Sequence, residues 1–163
     1  MAQTSFLPDE QGRTDRPPLI TSLGVLSFIN CGFFTLMYAM GAMAMLAVQA
    51  MPVDEYKHMM DDQMARWAFP EDQRSYLAQA AELFHHSGLA LMLLLLARTV
   101  ARLVGTIGMW RGRRMGFHIY AAAQLIGIFL PHLVLPLSML GFAGPLCAVA
   151  TTALYGTQVK RLS

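Results

Sequence analysis

Past Glu82 the chain contains no acidic residue, and between Arg16 and Asp54 it runs for 37 residues without a charge of either sign. The first absence leaves the second half with positive charge alone. The second excludes a soluble amphipathic helix, whose water-facing side carries polar and charged residues at every turn. Cysteine is nearly absent. Cys31 and Cys147 each sit inside an apolar run with no partner nearby in sequence, so neither a disulfide framework nor a redox pair is indicated. There is no phosphate-cradling glycine loop, no Ser, His and Asp arrangement, and no carboxylate inside the apolar runs, such as a proton-driven antiporter would normally place there. Nothing in the residues points to an enzyme or calls for a cofactor. A net charge of +2 is also too small to imply nucleic acid as a partner.

What is present is hydrocarbon. The chain has 163 residues, 55% of them apolar and 13% charged, against about 45–50% and about 25% in soluble domains. Crossing a ~30 Å hydrocarbon core takes about 20 apolar residues in a helix, because lipid offers no partner for backbone N–H and C=O groups. Four segments meet this: about Leu19–Ala50, Leu83–Trp110, Met115–Leu135 and Ser138–Thr157. The expected fold class is all-α, a four-helix transmembrane bundle with an outer amphipathic helical loop between spans one and two. Residues 1–18 form a polar tail, 19–158 a single membrane domain with its outer loop at 51–82, and 159–163 a basic tail. Pro131 and Pro136 favour a tight turn between spans three and four. The first apolar stretch exceeds the 7–15 residues of a signal-peptide core, so no cleaved signal is expected.

Orientation follows from Lys and Arg near the span ends. With the N-terminus inside, the inner segments hold Arg13, Arg16, Arg111, Arg113, Arg114, Lys160 and Arg161, and the outer loop holds Lys57, Arg66 and Arg74. That balance places both termini in the cytoplasm of a multi-pass protein of the inner (plasma) membrane. In the outer loop, Val53, Tyr56, Met60, Met64 and Trp67 recur at three- and four-residue spacing after Pro52, and a second helical piece opens after Pro70 and feeds span two.

Helices associate in lipid where small residues let backbones approach. Gly144, Ala148, Thr152 and Gly156 recur every fourth residue in span four, a face for internal packing or for a second copy, with a shorter version at Ala123 and Gly127. Arg98 and Arg102 lie one turn apart in span two, and Arg98 is twelve residues, about 18 Å, before Trp110. An arginine at that depth costs about 2.5–3.5 kcal/mol on insertion scales, which makes it a candidate intramembrane polar site. It either snorkels toward lipid phosphate or bonds Asn30, Gln124 or backbone carbonyls, or else it handles an anion or a lipid headgroup.

Glu82, His85, His86 and His132 carry ligand types for zinc, another divalent ion or haem. Counted outward from the basic hairpin, His132 and His85 differ by ~10 Å in depth, so interfacial hydrogen bonding is the plainer reading and no metal is expected. The methionines at 37, 40 and 43, with Met59 and Met60 beside His58, invite a copper(I) reading, and core packing is the simpler account.

The run Arg16-Pro17-Pro18-Leu19-Ile20-Thr21, together with Gly108-Met109-Trp110-Arg111 through Gly116-Phe117-His118-Ile119-Tyr120, Gln124 and Pro131, resembles a group of small, uncharacterised four-span bacterial inner-membrane proteins. The resemblance implies the same architecture and brings no activity, cofactor or site residue. The leading functional expectation is a non-enzymatic accessory or scaffold subunit whose partners are the lipid bilayer and either itself or another membrane protein. The alternative is a small transporter or channel-like oligomer that handles an anion or lipid headgroup through Arg98.

Overall fold

The computed structural model describes residues 6–67, 70–133 and 141–163, and over these the chain is all-α. Its elements are α1 (Pro18–Gln49), α2 (Val53–Arg66), α3 (Glu71–Trp110), α4 (Arg114–Phe129) and α5 (Ala143–Gly156), with 3-10 turns at Leu130–Leu133 and Val159–Arg161. Proline sets three of the starts. Pro17, Pro52 and Pro70 precede α1, α2 and α3 with φ of −56°, −57° and −58°, holding extended backbone up to each first turn.

Among the described residues three helices are long and apolar enough to cross a membrane: Pro18–Gln49, Ala80–Trp110 and Arg114–Leu133. The 14 residues of α5 extend only about 21 Å. The turn expected at Pro136, the end of span three at Leu135 and the start of span four at Ser138 lie outside the described residues. The division at Glu82 and Leu83 between outer loop and span two has no counterpart in the backbone, because α3 runs unbroken for 40 residues. Polar and apolar halves of one helix differ in side chains, and no proline or glycine interrupts the hydrogen bonding between them.

α3 is the hub, packed along α1, α4 and α2. Against α1 it is antiparallel. Trp110 covers Gly24, Arg102 meets Asn30, Met92 covers Gly41, and Met45 covers Gly88. Each of those glycines is a hole into which the neighbouring side chain fits, and a thioether on a flexible stem fills such holes well. Met37, Met40 and Met43 point the other way and are exposed. Against α4 the backbones themselves touch: a side chain at Gly105 would strike the main chain of Tyr120, and Gly108 and Gly116 leave each other no room for one. This close approach, and not the α5 series Gly144, Ala148, Thr152 and Gly156, is where small residues bring two helices together most tightly. On α5, Ala148 is buried, Thr152 is half-buried, a Cβ at Gly156 would lie at van der Waals distance from Phe117, and among the described residues nothing stands within 4 Å of a Cβ at Gly144.

The α3–α4 turn ends α3 with a left-handed glycine. Gly112 has φ of 80°, its N–H bonds Met109 O at 3.0 Å, and the next N–H, of Arg113, bonds Gly108 O at 2.9 Å. These two bonds satisfy carbonyls that a helix end leaves open. Both tails fold onto this turn. Phe6 pairs with Leu162, Ser163 exchanges backbone bonds of 2.7 Å with Gly112 and Arg114, and Arg16 stacks over the Trp110 ring at 3.9 Å. Arg161 donates to Asp9, to Arg13 O at 3.0 Å and to Asp15 O at 3.1 Å. Phe6, Ile20, Met109, Tyr120, Tyr155 and Leu162 close into a buried cluster beneath this cap. The buried cluster of these helices therefore sits at their basic end.

Candidate functional site

Further along the bundle from that cluster, a cavity of about 400 Å³ opens among α1, α3, α4 and α5. Leu23, Leu26, Phe34 and Leu95 line part of it, as expected among apolar helices. Gly144, Cys147 and Ala148 of α5 add to this mainly apolar wall, into which a set of polar groups is placed: Ser27, Asn30 and Tyr38 from α1, Arg98 and Arg102 from α3, Gln124 from α4, and Thr151 from α5.

Arg98 extends across Gly127, where any side chain would collide with its guanidinium, and so passes from α3 to α4. There it donates through Nε to Ala123 O and through Nη2 to Gln124 Oε1, both at 3.3 Å. Gln124 is 4% exposed and fully used. With its carbonyl turned to the arginine, its amide nitrogen donates to Tyr120 Oη at 3.2 Å and Thr151 Oγ1 at 3.1 Å. Guanidinium carries donors only, so this arrangement fixes which end of the amide faces it. One turn nearer the basic end, Arg102 Nη2 donates to Asn30 Oδ1 at 3.1 Å, and its buried Nε has no partner. Ser27 and Tyr155 share a hydrogen bond of 3.1 Å, which joins the cavity to the buried cluster.

Every acceptor that meets the two guanidinium groups is neutral. The last carboxylate on the chain, Glu82, stands sixteen residues, about 24 Å, from Arg98 along the same helix. Its oxygen is 3.3 Å from Lys57, while Asp9 pairs with Arg13 and Arg161 at the cap. Among the described residues no acidic side chain lines the cavity. Two like charges at i and i+4 repel, and a desolvated cation bonded only to neutral oxygens lacks the counter-charge that normally compensates its burial. What this wall can do chemically is hold an anion.

The structure thus joins Arg98 to Gln124 and Arg102 to Asn30, four residues the sequence singles out. Tyr38, Thr151 and the seat at Gly127 were not tied to that site by sequence. The small residue opposite a long cation was the available signal at Gly127, since Gly127 stands about as far from the basic turn on one side as Arg98 on the other.

The histidines and Glu82 go elsewhere. His85 Nε2 lies 3.0 Å from Met51 O, its ring meets Tyr56 and His86, and Glu82 is bound to Lys57. His132 lies in the 3-10 turn after α4, its Nδ1 buried without a hydrogen-bond partner. Among the described residues no group of three or more His, Cys, Asp or Glu is placed to hold a metal ion. On α2, Tyr56 and Met64 are buried, with Val53 and Met60 half-buried, while Trp67 is 75% exposed. Burial pushes the Tyr56 phenol above its ordinary value. Compared with known proteins, the chain matches no family profile, no curated protein and no solved structure.

Proposed function

We propose that this chain is a four-span protein of the bacterial inner membrane, with both termini cytoplasmic, that binds an anion in the cavity between Arg98 and Arg102. The architecture is the one its resemblance to small bacterial membrane proteins implies. Outward-facing Leu26, Ile29, Phe33, Leu36, Met40 and Met43 on α1 are all more than half exposed, a stripe that water would penalise and lipid would not. Against the basic cap, the polar outer helices give the bundle two wet ends and an apolar middle. The cavity lies in that middle.

The observation that carries the functional reading is the pair of guanidinium groups, one turn apart, bonded to neutral acceptors around an open space. In hydrocarbon their cost is large, and an anion supplied by a ligand offsets it. A protein of the transporter or channel-like class has a use for such a site. The test is thermal unfolding of the detergent-purified protein with inorganic phosphate or sulfate at constant ionic strength. A saturable rise in Tm, lost in Arg98→Leu and Arg102→Leu, is expected. Equal behaviour of wild type and both variants would count against it.

The accessory or scaffold reading has its own support in α5, where Leu146 and Val149 are exposed. A helix of another membrane protein fits such a flank. Affinity purification from native membranes tests it, because a reproducible stoichiometric partner, lost in Val149→Asn, is its expected result.

A further inference from the structure

Arg98 borders a second space. On the opposite side of the α3–α4 pair, a groove of about 370 Å³ runs between Ala97, Ala101, Ala122, Ala123 and Ile126, closed at its floor by Gly127 and Arg98. Apart from Arg98 its lining is wholly apolar, and Ala97, Ala122 and Ile126 are exposed, so the groove opens outward along the bundle's lipid-facing surface. The same guanidinium therefore borders both the cavity that holds the polar groups and a wholly apolar trough. It reaches both because residue 127 is glycine.

Resting on the anion-binding reading, we infer that the bound anion is the phosphate head of a membrane amphiphile, with the head on Arg98, the cation that borders both spaces, and an acyl chain in the alanine-lined groove. A free inorganic anion has no use for an apolar trough beside its charge site. An anionic lipid has both parts, it is already concentrated in the surrounding phase, and it can enter sideways between α3 and α4 without crossing water. Small side chains at 97, 101, 122 and 123 leave the width that a chain needs. Bulkier residues there would fill the trough while leaving the guanidinium groups untouched.

The test uses the full chain in a maltoside detergent and reads ligand-induced protection against thermal unfolding. Inorganic phosphate and dodecyl phosphate are titrated against wild type, Ala97→Leu and Ala122→Leu. Both alanines are exposed, so the added side chains project toward detergent and the fold tolerates them; either variant alone suffices should the other be poorly recovered. Dodecyl phosphate should bind wild type at least tenfold more tightly than phosphate. The leucine variants should lose that advantage by about tenfold with phosphate affinity unchanged. Equal affinity of the two probes for wild type would overturn the lipid inference and leave the anion site standing. Tighter dodecyl phosphate binding that neither leucine variant weakens would place the chain elsewhere and overturn it too. Protection by neither probe would remove the anion site and this inference together.

Discussion

The basic end of the bundle and its middle treat arginine in opposite ways. At the end, Arg161 meets a carboxylate and two carbonyls, Arg13 meets Asp9, and Arg16 lies on an indole. In the middle, Arg98 and Arg102 meet an alanine carbonyl and two side-chain amides. The chain places acids where water can already solvate a cation and none where it cannot. Charge at the cap is thus a fastening paired with carboxylates, and charge in the middle is bonded to neutral acceptors alone.

The largest effect expected comes from forcing the two regions apart at the α3–α4 contact. Gly116→Leu sets a side chain against the backbone of Gly108 and Met109, which cannot move as a flexible side chain can. Overpacking typically costs about 1–3 kcal/mol, and backbone against backbone lies at or beyond the top of that range. Little folded monomer should be recovered on size exclusion. Next comes the fastening itself. Arg161→Ala removes an ion pair and two charge-assisted bonds to carbonyls, so a loss of about 1.5–3 kcal/mol and faster tryptic cleavage at Arg13 are expected. Wild-type protection by phosphate should persist in that variant, because the cavity is untouched.

The smallest effect is a titration at the cap. Backbone N–H groups of Arg13 and Gln11, with the Arg13 guanidinium, hold the Asp9 carboxyl at about 2 against an ordinary 3.8. Folding lowers this value, so the stability it contributes is complete above 3.8 and drains away as pH falls through about 2. Amide shifts of Gln11 and Arg13 should titrate with a midpoint near that lower value. A midpoint at the ordinary carboxyl value would show that the turn does not hold Asp9.

Hydropathy and proline placement made the helices legible before any coordinates: α1 begins at Pro18 and ends at Gln49, where the apolar run does. The cap was not legible, because Phe6 and Leu162 lie in short, mainly polar tails with no helical or strand period, and their pairing joins positions 156 residues apart. Arg98 and Arg102 stood out by depth, and Asn30 and Gln124 by being polar within apolar runs. The tightest helix contact was missed for a physical reason. Gly105, Gly108 and Gly116 straddle a turn, so no fourfold repeat within one helix advertises them, whereas the regular series in α5 meets fewer neighbours than its pattern suggests.

The most direct measurement is anomalous scattering from crystals of the full chain grown in selenate. A peak within hydrogen-bonding distance of both the Arg98 and Arg102 guanidinium groups is the predicted result. Peaks confined to the cap, around Arg111, Arg113 and Arg114, with none between the two intrahelical arginines, would contradict it.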